Sequence, residues 1–212
     1  MNFLLTRLGN HIVRNVAMLI TVLFLLQTNS SAVAADSATA VFAGGCFWCT
    51  ESDFEKLVGI IEAESGYTDG QVENPTYKQV SAGRTGHTEA VLVTYDPDVV
   101  SYAELVEYFW PTIDPTQVDA QFCDNGSQYR SAIYYETSEE KSIVEASLAS
   151  LQTSKPFSAE IVTQIGQRSQ FYQAEDYHQD YYKKNPIRYN YYRRSCGRDQ
   201  RIQDLWGELA HH

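Results

Sequence analysis

Apolar runs of period two and of period 3.6 alternate along the chain, and their order restricts the fold more than any other feature. Ala38–Ala43, Ile60–Gly66, His87–Tyr95, Tyr129–Tyr135 and Glu160–Ile165 read as strands. Phe47–Val58 and two segments opening at Ser101 and Thr137 read as helices. The later two begin with capping boxes, Ser101 with Glu104 and Thr137 with Glu140. Tyr102, Leu105, Val106, Phe109 and Trp110 mark the apolar face of one, and Val144, Leu148 and Leu151 that of the other. The order β-α-β-β-α-β-α-β contains the split βαβ arrangement. The expected fold is α/β, a ferredoxin-like two-layer structure with a mixed sheet and helices packed on it. From Phe171 tyrosines crowd the sequence without a clear period, so a long irregular C-terminal tail is expected from about residue 185.

Residues 1–34 read as a secretory signal. Arg7 and Arg14 precede the apolar run Val16–Leu26, and Ala32-Val33-Ala34 gives a small-x-small cleavage pattern. The run is short for a bilayer span, so stable membrane association is not expected. Residues 35–212 then form one catalytic domain, exported to the periplasm or the extracellular space. Cleavage takes two arginines and no acid with it, moving the net charge from −11 to −13. Such an acidic chain repels phosphates, which argues against nucleic acid as a partner. Nothing in the sequence calls for more than a monomer.

The chemistry is expected at Gly44-Gly45-Cys46-Phe47-Trp48-Cys49, where a strand turns into a helix. Glycines permit the tight turn, and a helix N-terminus offers unpaired N–H groups and partial positive charge. That setting favours a thiolate at Cys46. Zinc is disfavoured, because no second Cys-x-x-Cys or His-x-His accompanies the first. A Cys-x-x-Cys bridge closes too small a loop to add much stability, so a redox or nucleophilic role is the better reading. Downstream, the long loop Asp114–Gln128 holds Cys123, Asp124 and Gly126 and runs straight into a strand. A loop of that length in a compact domain is read as ordered and functional.

Several motifs in order resemble the A-type peptide methionine sulfoxide reductases. They are Gly45-Cys46-Phe47-Trp48, Asn74-Pro75-Thr76-Tyr77, Thr85-Gly86-His87-Thr88-Glu89-Ala90-Val91, Tyr95-Asp96-Pro97 and Asp124-Asn125-Gly126-Ser127-Gln128-Tyr129-Arg130-Ser131. The similarity spans about Ala40 to Gly207. It implies thiol-dependent reduction of the S epimer of methionine sulfoxide, protein-bound or free. It also implies Cys46 as nucleophile and Glu89 as the acid that protonates the sulfoxide oxygen. Tyr77 and Tyr129 would donate to that oxygen, Phe47 and Trp48 would hold the S-methyl group, and Asp124 would help position the substrate. No metal and no bound organic cofactor are implied, only an external dithiol of the thioredoxin kind. The chemistry agrees: expelling oxygen requires an acid still protonated near neutral pH, and burial within a strand would supply one at Glu89. His87 and His178 read as hydrogen-bonded structural histidines.

After the first step Cys46 would be a sulfenic acid that a second thiol condenses with. Cys196, in the tail where many relatives carry such a cysteine, is placed ahead of Cys49, with Cys123 third. Two other readings stand beside this one. A thioredoxin-like oxidoreductase would use Cys46 and Cys49 and have no need of Glu89, Tyr77 or Tyr129. A secreted binding domain would close all four cysteines into two permanent bridges.

Overall fold

A computed structural model of the chain describes residues 37–211, so the expected signal sequence lies outside the described residues. Strands β1 (Ala38–Gly44), β2 (Ile60–Thr68), β3 (Thr88–Tyr95), β6 (Ser131–Tyr135), β7 (Gln164–Gln167) and β8 (Tyr172–Gln173) form a six-stranded sheet. Its order is β7-β6-β1-β3-β2-β8. All neighbours are antiparallel except β6 and β7. The four central strands, with helices α1 (Phe47–Phe54) and α3 (Tyr102–Phe109), reproduce the expected split βαβ order within a mixed α/β architecture. Strands β4 (Ala120–Gln121) and β5 (Asp124–Asn125) form a small separate hairpin inside the long loop.

Alternation of side chains divides the sheet into two faces. Phe42 stands opposite both Val91 and Ile133. It also meets Phe54 of α1 and Phe109 of α3, with ring centroids 4.7 and 5.1 Å away. Full burial of each such ring contributes roughly 1.5–3 kcal/mol. The opposite face carries Val41, Ala43, Ala90, Ala132 and Tyr134, with Phe171 packed against it. Both capping boxes form, at Ser101 with Glu104 and at Thr137 with Glu140, the latter opening α4 (Ser138–Ser154). Each cap stabilises its helix by about 1 kcal/mol.

Antiparallel pairing places the site. Because β1 runs against β3 and β6, its C-terminal end lies beside the first residues of both, and Gly44 pairs with Ser131. The start of α1, the start of β3 and the turn leading into β6 therefore meet at one end of the sheet.

Several expected boundaries move. α1 ends at Phe54, and Val58 is exposed. Tyr77 opens the short helix α2 (Tyr77–Ser81), directly after Asn74-Pro75-Thr76. The last expected strand starts later, at Gln164, where parallel pairing with β6 begins. The largest correction is the C-terminal segment, which is helical rather than irregular. After α5 (Tyr181–Lys184) come α6 (Pro186–Ser195) and α7 (Arg198–Trp206). α6 buries only Tyr189 and Arg193, and α7 buries Arg198, Ile202, Leu205 and Trp206. Their polar composition conceals the helical period, and contacts with the rest of the domain hold them in place.

Candidate active site

Cys46 occupies the N-cap of α1, immediately after a turn that only glycine fits. Gly45 has φ +82°, and a Cβ there would come within 2.4 Å of the Gln121 side chain in β4. The helix N-terminus does not serve the thiol as expected from sequence. Instead, Glu89 Oε2 accepts the Phe47 backbone N–H at 3.1 Å. Burial, contact with Cys49 and the nearby Glu89 carboxyl together push the Cys46 thiol up.

Cys46 and Cys49 are both free and buried. Cys49 packs in one buried cluster with Cys46, and that neighbour, with the charges of Arg198 and Arg193, lowers Cys49 to about 7. Both arginines come from the C-terminal helices. Arg193 Nη1 lies 2.9 Å from Asp53 Oδ1, and Arg198 Nη2 lies 3.7 Å from Asp53 Oδ2. Asp53 is one helical turn beyond Cys49 on α1. Arg198 also donates to Gly44 O at 3.0 Å and Thr112 O at 2.8 Å, with Phe122 stacked against its guanidinium. The arginines thus fasten α6 and α7 to the turn that carries the thiols.

The expected binding residues converge. Cys46, Phe47, Trp48, Tyr77, Glu89, Asp124 and Tyr129 line one cavity of about 70 Å³ together with Tyr192. Glu89, in β3 opposite Tyr67, is 2% exposed, and burial raises it to about 8. It is therefore a protonated acid at neutral pH. Burial raises Tyr77 to about 12 and Tyr129 higher still, so both phenols keep their protons for donation. Asp124 is raised by burial and accepts a hydrogen bond from the Tyr192 hydroxyl.

A supporting layer holds the aromatics. Trp48 Nε1 donates to His178 Nδ1 at 3.0 Å, and its indole stacks on Tyr181 at 3.7 Å and 6°. His178 is buried against Phe47 and Tyr77, which bears out its structural reading. His87 contacts Val72 O at 2.7 Å and is structural too. Glu175 accepts the Tyr77 N–H and the Tyr67 hydroxyl, each at 2.9 Å. Glu51, raised by burial to about 7, accepts the Asp180 N–H and the Ser65 hydroxyl, and so anchors the start of α5 to α1.

Cys196 does not stand free beside Cys46. It caps α6 and is bonded to Cys123, next to Asp124. Of the two cysteines placed first for the second step, only Cys49 touches Cys46. Sequence reasoning passed over Tyr192, Arg193 and Arg198. The tyrosine-rich segment was visible, but without a helical register no single residue in it stood out.

The family model for peptide methionine sulfoxide reductase matches residues 38–210. The chain is 50% identical over 167 residues to peptide methionine sulfoxide reductase MsrA of Bacillus velezensis, covering 79% of this chain and 94% of that protein. It is 45% identical over 195 residues to the MsrA/MsrB protein of Vibrio cholerae, and there it spans about half (52%) of the length. Among solved structures, methionine sulfoxide reductase A of Corynebacterium diphtheriae superposes with a TM-score of 0.64 at 36% identity, covering 71% of this chain and 76% of that one.

Proposed function

Since the chain belongs to the peptide methionine sulfoxide reductase family, we propose that it reduces the S epimer of methionine sulfoxide, free or within proteins, and so repairs oxidised methionine. The convergence of Cys46, Glu89, Tyr77 and Tyr129 on one small cavity carries this reading. Phe47 and Trp48 hold the S-methyl group, since thioether carbons pack well on aromatic faces. Tyr77 and Tyr129 donate to the sulfoxide oxygen, and Asp124 with Tyr192 fixes the substrate's orientation.

The Cys46 sulfur attacks the sulfoxide sulfur, forming a sulfur–sulfur bond, as its proton passes to the neighbouring Cys49. Glu89 delivers its own proton to the departing oxygen. The protonated oxygen then passes as hydroxyl to the Cys46 sulfur while the substrate S–O bond and the new sulfur–sulfur bond both break, so methionine leaves and Cys46 carries the oxygen as a sulfenic acid. Cys49 then attacks Cys46, a disulfide forms, and water departs. An external dithiol of the thioredoxin kind reduces that disulfide, and Glu89 regains a proton from solvent. The cycle needs no metal and no bound cofactor. The composition of residues 1–34 supports export to the periplasm or extracellular space with cleavage after Ala34, and the domain is read as a monomer.

The test uses residues 35–212 with dithiothreitol and each epimer separately. Consumption of the S epimer alone, abolished by Cys46→Ser and strongly slowed by Glu89→Ala, is the expected result. Reduction of a model protein disulfide with neither epimer consumed would replace this reading with a thioredoxin-like one.

A further inference from the structure

The Cys123–Cys196 bond lies outside the cavity but parallel to a contact that lines it. Cys123 immediately precedes Asp124, and Cys196 sits one helical turn after Tyr192, its N–H donating to Tyr192 O at 2.8 Å. The Tyr192 hydroxyl donates to the Asp124 carboxylate. The β5 strand and the end of α6 are thus tied twice: once by a covalent bond and once, a turn away, by a hydrogen bond that faces the nucleophile. The Cys123 N–H also donates to Cys196 Sγ at 3.2 Å. Tyr192 meets the Trp48 ring edge-on at 6.0 Å and lines the cavity with Cys46.

We propose that the Cys123–Cys196 disulfide is not an electron carrier but a positioning cross-link that holds Tyr192 and Asp124 over the Cys46 sulfur and stays closed while Cys46 and Cys49 turn over. Two observations separate the pairs. Cys49 lies three residues from Cys46 at the start of α1 and in the same buried cluster, so the cycle closes without a third thiol. Neither Cys123 nor Cys196 lines the cavity, and Cys123 is exposed on the β4–β5 hairpin. Opening the bond would leave the Tyr192–Asp124 hydrogen bond, with Phe122 against Arg198 at the start of α7, to hold this corner to the hairpin. The cost would fall on substrate binding rather than on the supply of electrons.

This inference rests on the reductase reading, and a wild-type chain that consumes neither epimer would fail that reading before the cross-link is examined. In the first arm, wild-type protein with two free thiols is given the S epimer without reductant. Its remaining thiols are then blocked and its disulfides mapped. Cys46–Cys49 and an untouched Cys123–Cys196 are expected; a bond joining either member of one pair to the other pair overturns the proposal. In the second arm, the double variant Cys123→Ser, Cys196→Ser is compared with wild type using dithiothreitol and, separately, a thioredoxin. KM should rise about threefold to tenfold, the loss of roughly one hydrogen bond, while kcat stays within about twofold. Stalling after one product per enzyme, or an unchanged KM, overturns the proposal. Tyr192→Phe should raise KM similarly, and combining it with the double variant should add nothing further. Independent multiplication of the two effects would place the disulfide outside this contact.

Discussion

Glu89 Oε2 accepts the backbone N–H of Phe47, the residue that follows the nucleophile, across 3.1 Å. Acid and sulfur are therefore set by one turn of chain: whatever moves Cys46 also moves the proton donor. The bond favours the ionised carboxylate, yet burial outweighs it and leaves Glu89 at about 8. The acid is thus orientated by a contact too weak to deprotonate it.

Replacing Glu89 separates activity from stability. The protonated form is the active one, so the chemical step should fall as pH rises through about 8. The folded state holds this proton more tightly than the unfolded chain. Stability attributable to Glu89 is accordingly full below about 4.5 and declines as pH rises to about 8. Glu89→Gln should slow turnover by about 10²-fold or more and flatten the pH profile. It should also raise the melting temperature at pH 8 and above. Stopped-flow rates and thermal melts across pH 5–9 check both, and a variant less stable than wild type at pH 9 would contradict the second.

Cys49→Ser should release one methionine per enzyme and then stall with a thioredoxin as donor. Cys46 would be trapped as the sulfenic acid, which a dimedone-type probe reports by mass. Sustained turnover at the wild-type rate would assign the second step to another thiol.

Arg193 balances a buried carboxylate. Removing its charge as Arg193→Met leaves Asp53, 2% exposed, with the half-exposed Lys56 at 3.1 Å and the more distant Arg198. An uncompensated buried charge costs about 3–5 kcal/mol, and the two remaining cations hold the loss below that. Denaturant titration should show that loss, with part recovered in the Arg193→Met, Asp53→Asn double variant. The same substitution should raise the pH at which Cys49 reacts with an alkylating agent, since Arg193 is among the charges lowering it.

His178 accepts the Trp48 indole proton and can do so only while neutral. Burial depresses its pKa below the ordinary 6.5, so it stays neutral at working pH. Stability from a depressed histidine is present above the unfolded value and lost as pH falls through the folded one. His178→Phe should raise KM for methionine sulfoxide more than it lowers kcat and shift the tryptophan emission. His178→Asn, which retains an acceptor, should recover part of the loss.

Local signals in the sequence were decisive where structure is locally determined. The capping boxes at Ser101 and Thr137 need only four residues each, and both form. The position of Glu89 at the start of an apolar strand anticipated its buried placement. What escaped was made by distant parts of the chain. Arg198 reaches Gly44 across 154 positions and His178 reaches Trp48 across 130. Neither segment announces its partner, because a lone buried arginine or histidine has no periodic signature. The pairing of Cys123 with Cys196 was illegible for a related reason, as spacing does not determine which thiols meet. The helix-terminus argument for an acidic Cys46 failed because burial of the thiol outweighs the helix end, whose Phe47 N–H goes to Glu89 instead.

The union of Gly44 and Cys49 with Arg193 and Arg198 has a consequence for how the protein is made. Cys46, Cys49 and Cys123 all leave the ribosome before the last cysteine and before either arginine. At ordinary rates of synthesis the nucleophile precedes Arg198 by roughly 8–30 s. During that interval the turn has neither its buried cations nor its covering helices, and Cys123 has no native partner. Three thiols coexist on an unfinished chain, and only arrival of the final segment makes one pairing better than the others. Correct bonding is therefore a late event governed by the C-terminus, although the chemistry it serves begins near the start of the domain.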